Sequence, residues 1–200
     1  MSPAAPRGIM EVHLPPSGSR IPVPRSERSA DAEGSPGLDP SLSRRLEVAR
    51  DYDGIFRVVR AAVRGVLGVE RPGLGLGLSE LPPGLGAYWQ VTGNLIVLNA
   101  NLVRTMKSMA KEPREFNSFV YVLLSHEYLH ALGYLDEGEV RRVTARVARR
   151  AFGADHLVTR MAEGDLWTLY PFLRWAPSGD GRKLTVVSRF DTETTAAYIR

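Results

Sequence analysis

PREFNSFVYVLLSHEYLHALGYLD, residues 113–136, reads as one helix bounded by a starting and a stopping signal. Pro113 suits a first helical turn, and Gly133 is a natural stop. Between them Phe116, Phe119, Val120, Leu123 and Leu124 lead into Ser125-His126-Glu127. From Val120 to Leu135 the segment is apolar apart from Ser125, His126, Glu127 and His130, which predicts a helix buried along much of its circumference. Three ionisable groups on such a helix need partners, because an unpaired buried polar group costs roughly 2–7 kcal/mol and a charged one more.

His126 and His130 are four residues apart, so their rings share one helical face a turn from each other and could share one ion. The chain has no cysteine, so a metal would take histidine and carboxylate ligands. Zn2+ is the expected ion. Glu127 follows the first ligand directly and projects beside the pair, a position that suits a base acting on metal-bound water.

His126-Glu127-Tyr128-Leu129-His130 spells HExxH, and here the chain resembles the zincin superfamily of metallopeptidases. The longer stretch HEYLHALGYLD fits HExxHxxGxxD and resembles the extended metzincin motif, with aspartate in the third-ligand position. The resemblance implies a zincin-like fold and hydrolysis of a protein or peptide, with Glu127 as catalytic base. It also implies that Gly133 turns the chain so that Asp136 joins His126 and His130 on zinc. Asp136 has a second reading, because with Glu139 at the fourth position it forms a capping box for the next helix. His156 is the alternative third ligand, as in the gluzincin arrangement, and an acid of the following helices, Glu139 or Glu163, is a further candidate. Met161 reads as core packing or as the methionine beneath a metzincin metal. Tyr128 and Tyr134 flank the motif without an assigned role.

Outward from this helix, the order of elements is α+β: helix, small sheet, active-site helix, further helices. Residues 1–40 hold eight of the fourteen prolines and no aromatic residue, so they read as a disordered tail. The domain is expected over 41–175, with a strand and tail over 176–200. Pro40-Ser41 leads into a helical stretch ending at Gly65 to Gly68, with Ile55, Val59, Ala62, Val63 and Val66 at helical spacing. Leu74–Leu78, Ala87–Val91 and Leu95–Asn99 are strand-like, the last two joined as a hairpin around Thr92-Gly93-Asn94. By the resemblance, this hairpin would supply the strand that pairs with extended substrate. Helices follow at Leu102–Met109, Glu139–Phe152 and about His156–Leu173, and Lys183–Phe190 reads as a strand.

The net charge of +4 comes almost wholly from arginine, since only Lys107, Lys111 and Lys183 are lysines. That permits contact with nucleic acid or a ribosome without requiring it. No segment has the apolar length of a membrane span or a signal peptide, which points to a cytoplasmic protein with no membrane partner. Two other functions compete. The spacing also resembles bacterial endoribonucleases of rRNA maturation, which carry metal-binding His at the places of His126, His130 and Asp136. This chain departs from them with Glu127 in place of Gly and Asp136 in place of His. A zincin fold acting only as a binding module is the other.

Overall fold

The computed structural model describes residues 39–91 and 93–191. The expected Pro-rich tail lies outside the described residues except for Asp39 and Pro40, as does the polar end from residue 192. The described residues form seven α-helices, a 3-10 turn and a mixed four-stranded sheet, an α+β arrangement.

The first helical stretch is two helices, α1 (Pro40–Glu47) and α2 (Tyr52–Leu67). The break has a local cause: the Asp51 carboxylate accepts from the Gly54 N–H at 2.7 Å and starts a new helix. Gly68, at φ 70°, then closes α2.

Strands β1 (Gly75–Ser79), β2 (Ala87–Trp89), β3 (Leu95–Asn99) and β4 (Leu184–Val186) lie in the order β2-β3-β1-β4. β2 and β3 form the expected antiparallel hairpin, with Ala87 opposite Leu98 and Trp89 opposite Ile96. β1 runs parallel to β3, and β4 runs antiparallel to β1. The C-terminal strand is shorter than Lys183–Phe190, because after Val187 donates to the Leu76 carbonyl at 2.8 Å the chain leaves the sheet.

α3 (Ala100–Met109) leads to α4 (Pro113–Ala131), the expected long helix. Phe119, Val120, Tyr121, Leu124, Tyr128 and Leu129 of α4 are all at most 1% exposed. At about 1.5–3 kcal/mol per large apolar side chain, this one helix supplies much of the drive for folding. Tyr128 meets Phe56 of α2 edge-on, with ring centres 5.3 Å apart. Tyr121 meets Phe152 in the same way at 5.1 Å. Beyond α4 come α5 (Glu137–Phe152), α6 (Leu157–Glu163), α7 (Leu166–Leu169) and the 3-10 turn Pro171–Trp175. The single helix expected over His156–Leu173 is thus broken, by Gly164 with Asp165 capping α7, and then by Pro171. No described helix is long and apolar enough to cross a membrane.

Candidate metal centre

α4 ends in a tight turn that sets the direction of the chain leading into α5. Gly133 N–H donates to the His130 carbonyl at 2.9 Å, and Tyr134 N–H donates to the Leu129 carbonyl at 3.1 Å. This is the Schellman pattern, with Gly133 at φ 100°. The turn brings the first residue of α5 back over the histidine face of α4.

That residue is Glu137. One carboxylate oxygen lies 3.1 Å from His130 Nε2 and the other 3.3 Å from His126 Nε2. The ligand atoms of His126, His130 and Glu137 all lie within 4.8 Å of one another. The two imidazole side chains are mostly buried, at 23% and 15% exposure, and the carboxylate is 64% exposed, so the group opens outward on one side.

The hydrogen bonding of His130 bears on what this group can hold. Its Nδ1 is 2.8 Å from the Tyr134 carbonyl, which can only accept, so Nδ1 carries the proton. A neutral His130 therefore turns a lone pair toward a carboxylate oxygen. Two lone pairs at that distance repel, and a cation between them, or a proton on the ring, relieves the repulsion. Zinc at about 2.0–2.2 Å from three such ligands sets neighbouring donor atoms roughly 3.3 Å apart; each histidine has one oxygen of Glu137 at that spacing, and the three single donor atoms, all within 4.8 Å of one another, would close in on a bound ion. The Tyr134 carbonyl is the kind of outer partner that orients a metal-binding imidazole. Burial pushes the His126 imidazole below the usual histidine range, against the pull of Glu137, and favours the neutral form that a metal needs.

Glu127 sits beside the group, 6% exposed. Burial, reinforced by the negative charge of Glu137, pushes its carboxyl up to about 8, while the backbone N–H of Trp89 pulls the other way. Trp89 belongs to β2, an edge of the sheet. Asn99 N–H donates to the Gly86 carbonyl at 2.9 Å and Gln90 N–H to the Leu95 carbonyl at 3.0 Å, so even-numbered residues face β3. The backbone groups of Ala87 and Trp89 therefore point to the free edge, toward α4.

Asp136 and His156 are not brought to the histidine pair. The Asp136 carboxylate accepts from the Glu139 N–H at 2.7 Å and caps α5, so the capping reading describes it. A carboxylate folded onto the open amides of a helix N-terminus is spent there, and the next residue, Glu137, takes the place beside the histidines. His156 caps α6, its Nδ1 accepting from the Val158 N–H at 3.2 Å, and its ring stacks on Phe152. Its charged neighbours, Glu47 and Arg114, belong to α1 and the start of α4, about 18 Å along that helix from His126 at 1.5 Å per residue. Glu163 is paired with Arg149 at 2.7 Å. Glu139 is not in the group either, and Met161 is 1% exposed in the core. The Tyr128 hydroxyl accepts from Arg71 N–H at 2.8 Å and lies 3.3 Å from the Arg71 carbonyl, so it is engaged with the chain before β1.

Two contributors had no sequence signal. Arg71 clamps the hairpin to the end of α4, reaching the Ala131 carbonyl at 2.5 Å and Asn94 Oδ1 at 2.7 Å, with Trp89 under its guanidinium at 5.5 Å. Buried Asn99 gathers the carbonyls of Leu81, Pro82 and Leu85 within 3.2 Å of its amide nitrogen and so fixes the loop before β2. Glu137 did have a signal, since a capping Asp136 leaves its neighbour free.

A cleft of about 910 Å3 opens beside the group, with His126, Glu127 and Glu137 on its wall. Leu85 and Ala87, Arg141 and Arg142 of α5, and the half-buried Leu166 and Trp167 also line it. Compared with protein-family models, with curated proteins and with solved structures, the chain matches none of them.

Proposed function

We propose that the chain is a zinc-dependent metallopeptidase of the zincin type, with His126, His130 and Glu137 as metal ligands and Glu127 as catalytic base. The observation that carries this reading is the convergence of two histidine Nε2 atoms on one carboxylate, beside the second, buried carboxylate of Glu127. An antiparallel edge strand lying next to the HExxH helix is in keeping with a zincin-like fold.

A bound zinc ion would supply Lewis acidity, acidifying water and polarising a carbonyl. Glu127 takes the proton of the attacking water and returns it to the departing amine. Contact with the Trp89 N–H holds the Glu127 carboxylate in place. The backbone N–H and C=O of Ala87, on the same free edge, pair with an extended peptide and align its carbonyl with the base. The cleft excludes water from the apolar side chains of the bound segment.

The direct test is Glu127→Gln, which keeps the shape of the side chain and removes its basicity. The variant should retain zinc and fold, and its hydrolysis of a mixed peptide library should fall by at least about 100-fold, the scale of general acid–base catalysis. Turnover that survives the substitution would remove Glu127 from the mechanism. A zinc-loaded native chain that cleaves no peptide in the library would overturn the reading as a peptidase.

A further inference from the structure

Glu137 opens α5, and Arg141 and Arg142 follow one turn later on the wall of the same cleft. Arg141 Nε lies 4.0 Å from the Glu137 carboxylate. The other acids on the wall are engaged elsewhere. Glu163 is held by Arg149 at 2.7 Å, and Asp165 caps α7 through the Trp167 N–H at 3.2 Å and accepts from the Thr168 hydroxyl at 2.7 Å. Among the described residues no acid pairs with Arg142. The same cleft is lined by the half-buried apolar side chains of Leu123, Leu166 and Trp167. The cleft thus sets an uncommitted guanidinium and an apolar surface side by side, next to the candidate metal centre.

We infer that the cleft recognises peptides in which a large apolar side chain is accompanied by a carboxylate, the side chain lying on this apolar surface and the carboxylate held by Arg142 with Arg141 beside it. The metallopeptidase reading is needed only for the cleavage of a bound peptide. Guanidinium suits this role, because its planar fork matches a carboxylate in a way that a lysine ammonium does not. The guanidinium of Arg141 lies close to the candidate ligand, its Nε 4.0 Å from the Glu137 carboxylate. An extended peptide rises about 3.4 Å per residue, so the carboxylate lies one or two residues from the bond that is attacked. It can come from a free C-terminus or from an Asp or Glu side chain. The phosphates of a nucleic acid would also meet these arginines, and its bases would stack on Trp167, so RNA is the competitor in the test.

Binding is tested on the full zinc-loaded chain carrying Glu127→Gln, by fluorescence anisotropy with labelled hexapeptides of one sequence containing Phe. One ends in a free carboxylate, one in an amide, one in an amide with Glu after Phe, and one in an amide with Gln after Phe. At least one carboxylate-bearing peptide should bind about tenfold tighter than its amide or Gln counterpart, a factor in the range of one charge-assisted pair. Whichever gains affinity identifies the source of the carboxylate. Arg142→Gln should erase the difference and Arg142→Lys restore part of it. Arg146→Gln, on the same helix outside the cleft, should leave it intact. Equal binding of all four peptides overturns the inference, as does a preference that survives the double substitution Arg141→Gln, Arg142→Gln. A mixed-sequence RNA oligonucleotide that outcompetes every peptide and is itself lost with Arg142→Gln overturns it in favour of a nucleic-acid site. Hydrolysis by the native zinc-loaded chain is read separately on the same peptides. Selective binding without cleavage would sink the peptidase reading and leave this inference standing.

Discussion

Glu127 is the residue at which burial and chemistry pull hardest against each other. Burial and the nearby Glu137 charge disfavour ionisation and push its carboxyl up to about 8 in the folded chain, against 4.5 when exposed. A folded pKa above the unfolded one means that the folded state binds the extra proton. The associated stability is therefore fully present below about pH 4.5 and is lost as pH rises to about 8. Metal-free protein should lose on the order of a few kcal/mol across that window, and Glu127→Gln, which cannot ionise, should lose less. Urea unfolding of both chains at pH 5 and pH 8 checks this; parallel losses would mean that Glu127 is not held in a desolvated site. At this scale the sequence was legible where a residue's role is local. The one-turn spacing of His126 and His130 and the adjacency of Glu127 needed only helix geometry. Asp136 was ambiguous because a cap and a ligand both call for an aspartate, and the choice depends on where the next helix points.

The element that joins these residues is the corner between α4 and α5. Gly133 makes it with φ 100°, and nothing lies within 4 Å of the site where a Cβ would be added, so a substitution there meets backbone strain and no collision. Gly133→Ala should destabilise the protein by about 1 kcal/mol and, by displacing Glu137 from the histidines, weaken zinc binding as well. A thermal melt with and without zinc separates the two effects. Loss of stability equal in both would show that the corner does not position a ligand. Helix α4 and the β2–β3 hairpin were readable because their ends carry chemical signals, Pro113 and Gly133 for one and Gly93-Asn94 for the other. The division of α1 from α2 was missed because Asp51 sits in a polar run where its capping role is invisible without the backbone around it. The break at Gly164-Asp165 was missed for the same reason.

At the scale of the molecule, the last described residues are tied to α2 and to the segment before β1 by one buried acid. Asp191 accepts from the Gly73 N–H at 2.7 Å and the Leu74 N–H at 3.1 Å and pairs with Arg60, while Phe190 stacks on Phe56. Asp191→Ala would leave two amides without this acceptor and Arg60 with Glu70 still as a carboxylate partner, a loss of about 2 kcal/mol that a thermal or urea melt would register. An unchanged melt would mean that the tie carries no stability. None of this was readable from the sequence, because Asp191 and its partners are separated by 117 to 131 residues and share no pattern. The candidate metal ligands lie apart from this tie, so the question of function turns on the other face of α4. The decisive measurement is zinc content by elemental mass spectrometry on untagged protein, native and with His126→Ala, His130→Ala, Glu137→Ala, Asp136→Ala and His156→Ala. One zinc per native chain, lost in the first three variants and kept in the last two, is the expected result. A native chain that takes up no added zinc, or one that loses zinc with Asp136→Ala and keeps it with Glu137→Ala, would contradict a centre built from His126, His130 and Glu137.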